Sequence, residues 1–166
     1  ASQRSIPLLA PTTLTKWFKT NHNARQRNNR KVFLFADEFT NYNDSEIGIY
    51  TVLLLERLGY EVVIPKHMES GRTFISKGLL RKARSIAVKN VTLLKDIVTS
   101  DSPLIGIEPS AILSFRDEYP DLVPASLKDA ALNLSKSVFT IEEFLAKQFE
   151  LGAISSDLFT SEHVSI

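Results

Sequence analysis

Three short runs of nearly unbroken apolar side chains limit what this chain can fold into: KVFLFA at 31–36, VVI at 62–64 and PLIGI at 103–107. Strands this short, with no polar alternation, are the kind buried on both faces beneath helices. Each run passes into a polar turn and then into a helical pattern. That alternation implies right-handed βαβ units, and hence an α/β, Rossmann-like three-layer fold whose short parallel sheet is most simply ordered 2-1-3. At 166 residues there is room for one such core.

The connecting segments carry further signals. Leu14, Trp17 and Phe18 suggest a short helix. The segment from Asp37 to Asp44 reads as a polar turn, and Asn43 with Glu46 resembles a capping box opening a helix that runs to Gly59, with Ile47, Tyr50, Leu54 and Leu58 as its apolar stripe. After a second strand from Glu61 to Pro65, the loop Pro65–Gly78 leads into a long helix opened by Ser76 or Lys77 and reaching about Thr99, striped by Leu80, Ala83, Ala87, Val91, Leu94 and Val98. Glu108, Pro109 and Ser110 turn the chain into a helix from Ala111 to Tyr119, which Pro120 stops. A helix follows over Ser126–Leu134. Thr140 with Glu143 makes a second capping box, flanked by Phe139 and Phe144, for a helix ending near Gly152. His163 to Ile166 has the look of another strand beginning.

In an open parallel sheet, ligands lie beyond the carboxyl ends of the strands, where strand order reverses. The loops that meet there supply the rim candidates Glu38, Thr40, Asn41, Glu69, Ser70, Gly71, Arg72, Glu108, Ser110, Ala111 and Arg116. Two arrangements are open to them. Asp37, Glu38, Glu69 and Glu108 with His67 would suit an oxygen-rich metal site. The simpler arrangement, and the one expected, pairs Arg72 and Arg116 with Glu108 and Glu69, since guanidinium forks match carboxylates. His67 and Ser70 lack the orienting third group that Ser/His catalysis needs, and no glycine-rich phosphate loop is present. Catalytic residues are therefore not assigned, and no metal ligand set is expected. A helix start at Ser76 would offer an anion its free N–H groups.

Charge narrows the partners. The net charge is +1, but residues 1–36 carry only cations (Arg4, Lys16, Lys19, Arg25, Arg27, Arg30 and Lys31). Without interleaved stacking aromatics these read as a solvated, basic lead-in over residues 1–30, not as a nucleic-acid binder. No apolar run approaches the roughly 20 residues of a membrane helix. The chain has no cysteine, and with no signal segment in view a cytoplasmic setting is expected.

Four stretches taken together, FADEFTNYNDSEIG (35–48), ESGRTFISKG (69–78), NVTLL (90–94) and IGIEPSAILSFRDEYPDL (105–122), resemble the cysteine-rich CCG domain at the carboxyl end of FAD-linked lactate and glycolate oxidases, the D-lactate dehydrogenase-like enzymes. That domain is related to heterodisulfide reductase and glycolate oxidase iron-sulfur subunits. RSIPLLAPTTLTKWF (4–18) is similar to the connector that leads into it. The resemblance implies that residues 31–166 are the first half of a paired domain, whose second half is missing, in a fragment of a flavin-dependent 2-hydroxy-acid oxidoreductase. FAD and a 4Fe-4S cluster would then sit in upstream flavin and ferredoxin-like domains of the same polypeptide, with no cofactor in this chain. The family's cysteines fall at Glu38, Glu69, Ser70 and Ala111, so the resemblance also implies that the iron-sulfur ligands are lost. The class-different alternatives are a non-catalytic docking domain joining redox modules and a stand-alone anion-binding domain. Without its second half, the fragment is expected to expose apolar surface and to self-associate.

Overall fold

In the computed structural model, residues 7–21 and 30–160 are described. Residues Arg25, Arg27, His22 and the expected strand at His163–Ile166 lie outside them. Strand β1 (Lys31–Phe35) pairs in parallel with β2 (Glu61–Val63) on one side and β3 (Leu104–Gly106) on the other. A fourth parallel strand, β4 (Val138–Thr140), lies beside β3. The α/β class is as the apolar runs imply, and the expected order 2-1-3 is extended to 2-1-3-4. Three residues are too few for β4 to show a periodicity, and its Thr140 doubles as a helix cap.

Side chains of β1 divide the core in two. Phe33 and Phe35 join Leu104 and Val138 against α5 (Leu80–Leu94) and the short helices α6 (Pro109–Ile112), α7 (Ser114–Asp117), α8 (Tyr119–Leu122) and α9 (Ala125–Ser135). Val32 and Leu34 join Val62 and Ile105 against α1 (Leu14–Asn21), α3 (Ser45–Arg57) and α10 (Ile141–Glu150). The chain leaves β1 toward one face and β3 toward the other, so the strand order reverses between them. That makes the crevice beyond β1 and β3 the topological switch point.

Several element boundaries differ from expectation for local reasons. The turn after β1 holds a helix, α2 (Glu38–Tyr42), because the Asp37 carboxylate accepts from the N–H groups of Phe39 and Thr40. The Asn43–Glu46 box does not form: Asp44 precedes α3 without a side-chain cap, and Asn43 donates to the Leu8 carbonyl instead. The stripe expected on this helix holds at its C-terminal end, where Leu58 is buried and Leu54 packs on the same cluster, but not at its start. Ile47 and Tyr50 are 51% and 67% exposed, while Gly48, Thr51, Val52 and Leu55 face inward. The cause is Gly48, where a Cβ would lie 2.5 Å from Leu14 Cδ2. Only the small-residue side of α3 lets α1 seat its buried leucine.

The long helix expected from Ser76 is two helices. Ser76 closes α4 (Arg72–Ser76), Gly78 turns at φ +69, and α5 starts at Leu80, itself exposed. The anion-binding reading thereby loses its helix start. The helix expected over Ala111–Tyr119 is likewise broken into α6, α7 and α8, and Pro120, which was to stop it, lies in the first turn of α8, where its missing N–H has no partner to lose. The Thr140–Glu143 capping box forms with both of its bonds, and Phe139 and Phe144 pack in the same cluster.

Candidate functional site

The loop after β2 is fixed to three other elements by buried polar groups. Ser70 donates from its backbone N–H to Glu38 Oε2 at 3.0 Å and from its hydroxyl to Glu38 Oε1 at 2.6 Å. Its hydroxyl oxygen then accepts from the Arg72 N–H at 3.1 Å. From α5, Asn90 accepts from the Met68 N–H and donates to the carbonyl of Glu69 and to the Tyr119 hydroxyl. Tyr119, on α8, donates to the carbonyl of Ser70 at 2.8 Å, and burial pushes its phenol well above the usual range. Asn90 and Tyr119 are not among the sequence-predicted residues. Asn90 did leave a signal, since it falls among the apolar positions Ala87, Val91 and Leu94 of α5, where an amide requires partners.

The sequence-predicted rim divides into two clefts, with Glu38 bordering both. The first, about 240 Å³, opens at the switch point and is lined by Asp37, Glu38, Ser70, Arg72, Glu108 and Ala111 among others. Ser110 is there too, with its N–H and hydroxyl donating to the Glu108 carboxylate. Asp37 is 1% exposed; its Oδ1 caps α2, and Oδ2 has no partner among the described residues. Burial raises its pKa, opposed by the Thr40 and Phe39 bonds. The second cleft, about 570 Å³, lies beyond β1 and β2 and is bordered by Asn41, His67 and Glu69. Three rim candidates line neither cleft. Thr40 is buried beneath Gly48, Gly71 turns at φ +74 against Ile86, and Arg116 faces α10.

The expected arginine pairing is corrected in its partners. Arg72 binds Glu118 at 2.5 Å and Arg116 binds Glu143 at 3.0 Å, rather than Glu108 and Glu69. Glu108 is committed to Ser110, while Glu118, in the turn between α7 and α8, and Glu143, on α10, are brought near only by the tertiary fold. The alternative metal set fails too, since no group of three or more His, Cys, Asp or Glu among the described residues could hold a metal ion. His67 illustrates why. Its Nδ1 lies 2.6 Å from the Met68 carbonyl and so carries the proton, leaving Nε2 to accept from the Ala36 N–H. The ring packs 4.4 Å from that of Phe35, and burial lowers its pKa. With both nitrogens engaged, it cannot serve Ser70 as a base.

Glu38, Ser70 and Ala111 meet at one crevice, while Glu69 points to the other cleft. As a donor set for an iron-sulfur cluster they do not fit. A carboxylate already holding two bonds, a hydroxyl and a methyl group offer no soft sulfur.

No protein-family model matches the chain, and no solved structure does. Curated proteins do. The chain is 32% identical over 97 residues, 58% of its length, to a D-2-hydroxyglutarate dehydrogenase of Escherichia coli K12, of which that stretch is 9%. It is 25% identical over 127 residues to a D-2-hydroxyglutarate dehydrogenase of Haemophilus influenzae, covering 76% of the chain and 12% of the relative. Over 123 residues it is 26% identical to one of the subunits of the E. coli K12 anaerobic glycerol-3-phosphate dehydrogenase, covering 73% of the chain and 31% of the relative. The chain thus spans only a small part of the dehydrogenases it matches.

Proposed function

We propose that this chain is a CCG-type domain of a flavin-dependent 2-hydroxy-acid oxidoreductase, in which it acts as scaffold and not as redox centre. Similarity to dehydrogenases of a 2-hydroxy acid supports the reaction class, and 2-hydroxyglutarate joins lactate and glycolate as candidate substrates. The flavin, the iron-sulfur cluster and the reacting alcohol belong to other domains of the intact protein. The observation that carries the scaffold role is the paired bond from Ser70 to Glu38. Two positions where the resemblance places cluster ligands are joined directly, a hydroxyl to a carboxylate.

A docking role within the same enzyme is favoured by α3, whose outer side carries Ile47, Tyr50 and Leu53 in the open at three-residue spacing. Flavin and ferredoxin-like domains, or a second CCG half, are the partners this stripe would meet. The test is iron and acid-labile sulfide analysis with visible absorption after anaerobic reconstitution. The chain is compared with a variant carrying Glu38→Cys, Glu69→Cys, Ser70→Cys and Ala111→Cys, with circular dichroism to confirm that both are folded. The unmodified chain should stay colourless. Stoichiometric iron and sulfide in it would overturn the scaffold reading.

A further inference from the structure

The 570 Å³ cleft between α1, α2 and the loop after β2 is separate from the switch-point crevice, and the proposed redox lineage gives it no task. Its volume lies in the range of about 300–1,000 Å³ typical of small-molecule sites. Phe18, Tyr42, Ile64, Pro65 and Met68 supply apolar lining. The polar lining is oriented. Asn41 is 7% exposed, and its Oδ1 accepts from the Thr15 N–H at 3.0 Å. That bond settles which end of the amide is oxygen. Nδ2 is left as a donor with no acceptor among the described residues, on a side chain that lines the cleft.

Lys19 and Lys66 border the same space and have no acidic partner among the described residues. The two carboxylates on the lining, Glu38, which accepts two bonds from Ser70, and Glu69, are matched in number by the two ammonium groups, so the Asn41 donor sets the preference for a ligand that brings an acceptor. We propose that this cleft binds a small organic carboxylate with an apolar body, its acid group held by the Asn41 amide and the ammonium groups of Lys19 and Lys66. Charge-assisted hydrogen bonds to a fixed amide and two cations select an anion, and the apolar lining selects one with a hydrophobic body.

Titrating the ¹⁵N-labelled chain with phenylacetate, and with phenylacetamide as the uncharged counterpart, tests this by nuclear magnetic resonance. Phenylacetate should give saturable shifts at the Asn41 side-chain amide and at the Lys66–Met68 amides, and phenylacetamide should bind about tenfold more weakly or worse. Asn41→Asp keeps an acceptor for Thr15 while removing the donor. Lys66→Gln changes only an exposed side chain. Each should weaken phenylacetate by about tenfold while leaving the rest of the spectrum in place. Equal binding of acid and amide, shifts clustered at Ser70 and Ala111 instead, unchanged affinity in Lys66→Gln, or no saturation at tens of millimolar would each overturn the proposal.

Discussion

Glu38 accepts both donors of Ser70, and Ser70 is completely buried. Removing the carboxylate would strand a buried N–H and a buried hydroxyl, a loss on the order of 1–3 kcal/mol. Glu38→Ala should therefore lower stability in denaturant titrations by about that amount and speed hydrogen exchange at Ser70 and Arg72. Ser70→Ala leaves the Ser70 backbone N–H its acceptor but removes the one that the Arg72 N–H uses, so it should cost less than Glu38→Ala only if the Ser70 N–H bond to Glu38 is the stronger of the two; equal costs would mean that the hydroxyl carries as much of the interaction. His67 makes a pH prediction. Burial lowers its pKa below the ordinary imidazole value of 6.5. Between that lowered value and 6.5 the unfolded chain binds the proton and the folded chain does not, so stability rises with pH through this window and is fully present above it. Melting temperatures should fall on acidification below pH 6.5, and the slope should flatten in His67→Gln. An unchanged slope would place the titration elsewhere.

At the scale of elements, Gly106 decides how closely α6 packs on the sheet. A Cβ there would meet Ile112 Cβ at 2.5 Å and Cγ1 at 2.8 Å, atoms close to the backbone that cannot swing aside. Gly106→Ala should destabilise by about 1–3 kcal/mol, the usual range for overpacking, and a neutral effect in thermal melts would show that α6 shifts freely. What was legible in the chain follows the same division between local and distant causes. The Thr140–Glu143 box and the three apolar strands could be read because their signals lie within a few residues. The inward face of the first turns of α3 could not, since it depends on Leu14 reaching Gly48 from another helix. The rim loops were legible as a group because strand ends converge. Which carboxylate meets Arg72 was not, because Glu118 is 46 residues away, and neither was the division of the rim into two clefts.

Across the whole molecule, α3 is apolar on two sides. Its inner side packs against the sheet, and its outer stripe of Ile47, Tyr50 and Leu53 stands in solvent, with Phe39 and Tyr42 of α2 also exposed. Exposed apolar patches mark contact sites. Light scattering at rising concentration should reveal self-association, relieved in the double variant Ile47→Glu and Tyr50→Glu with the melting temperature of the monomer kept. A chain monomeric at all concentrations would mean that the stripe needs no cover. The loop after β2 carries a different consequence. Asn90, Tyr119 and Glu38 hold it with atoms that the ribosome supplies. The position of this loop therefore rests on the chain's own hydrogen bonds, and loosening any one of those three anchors should be felt along the whole segment from Met68 to Arg72.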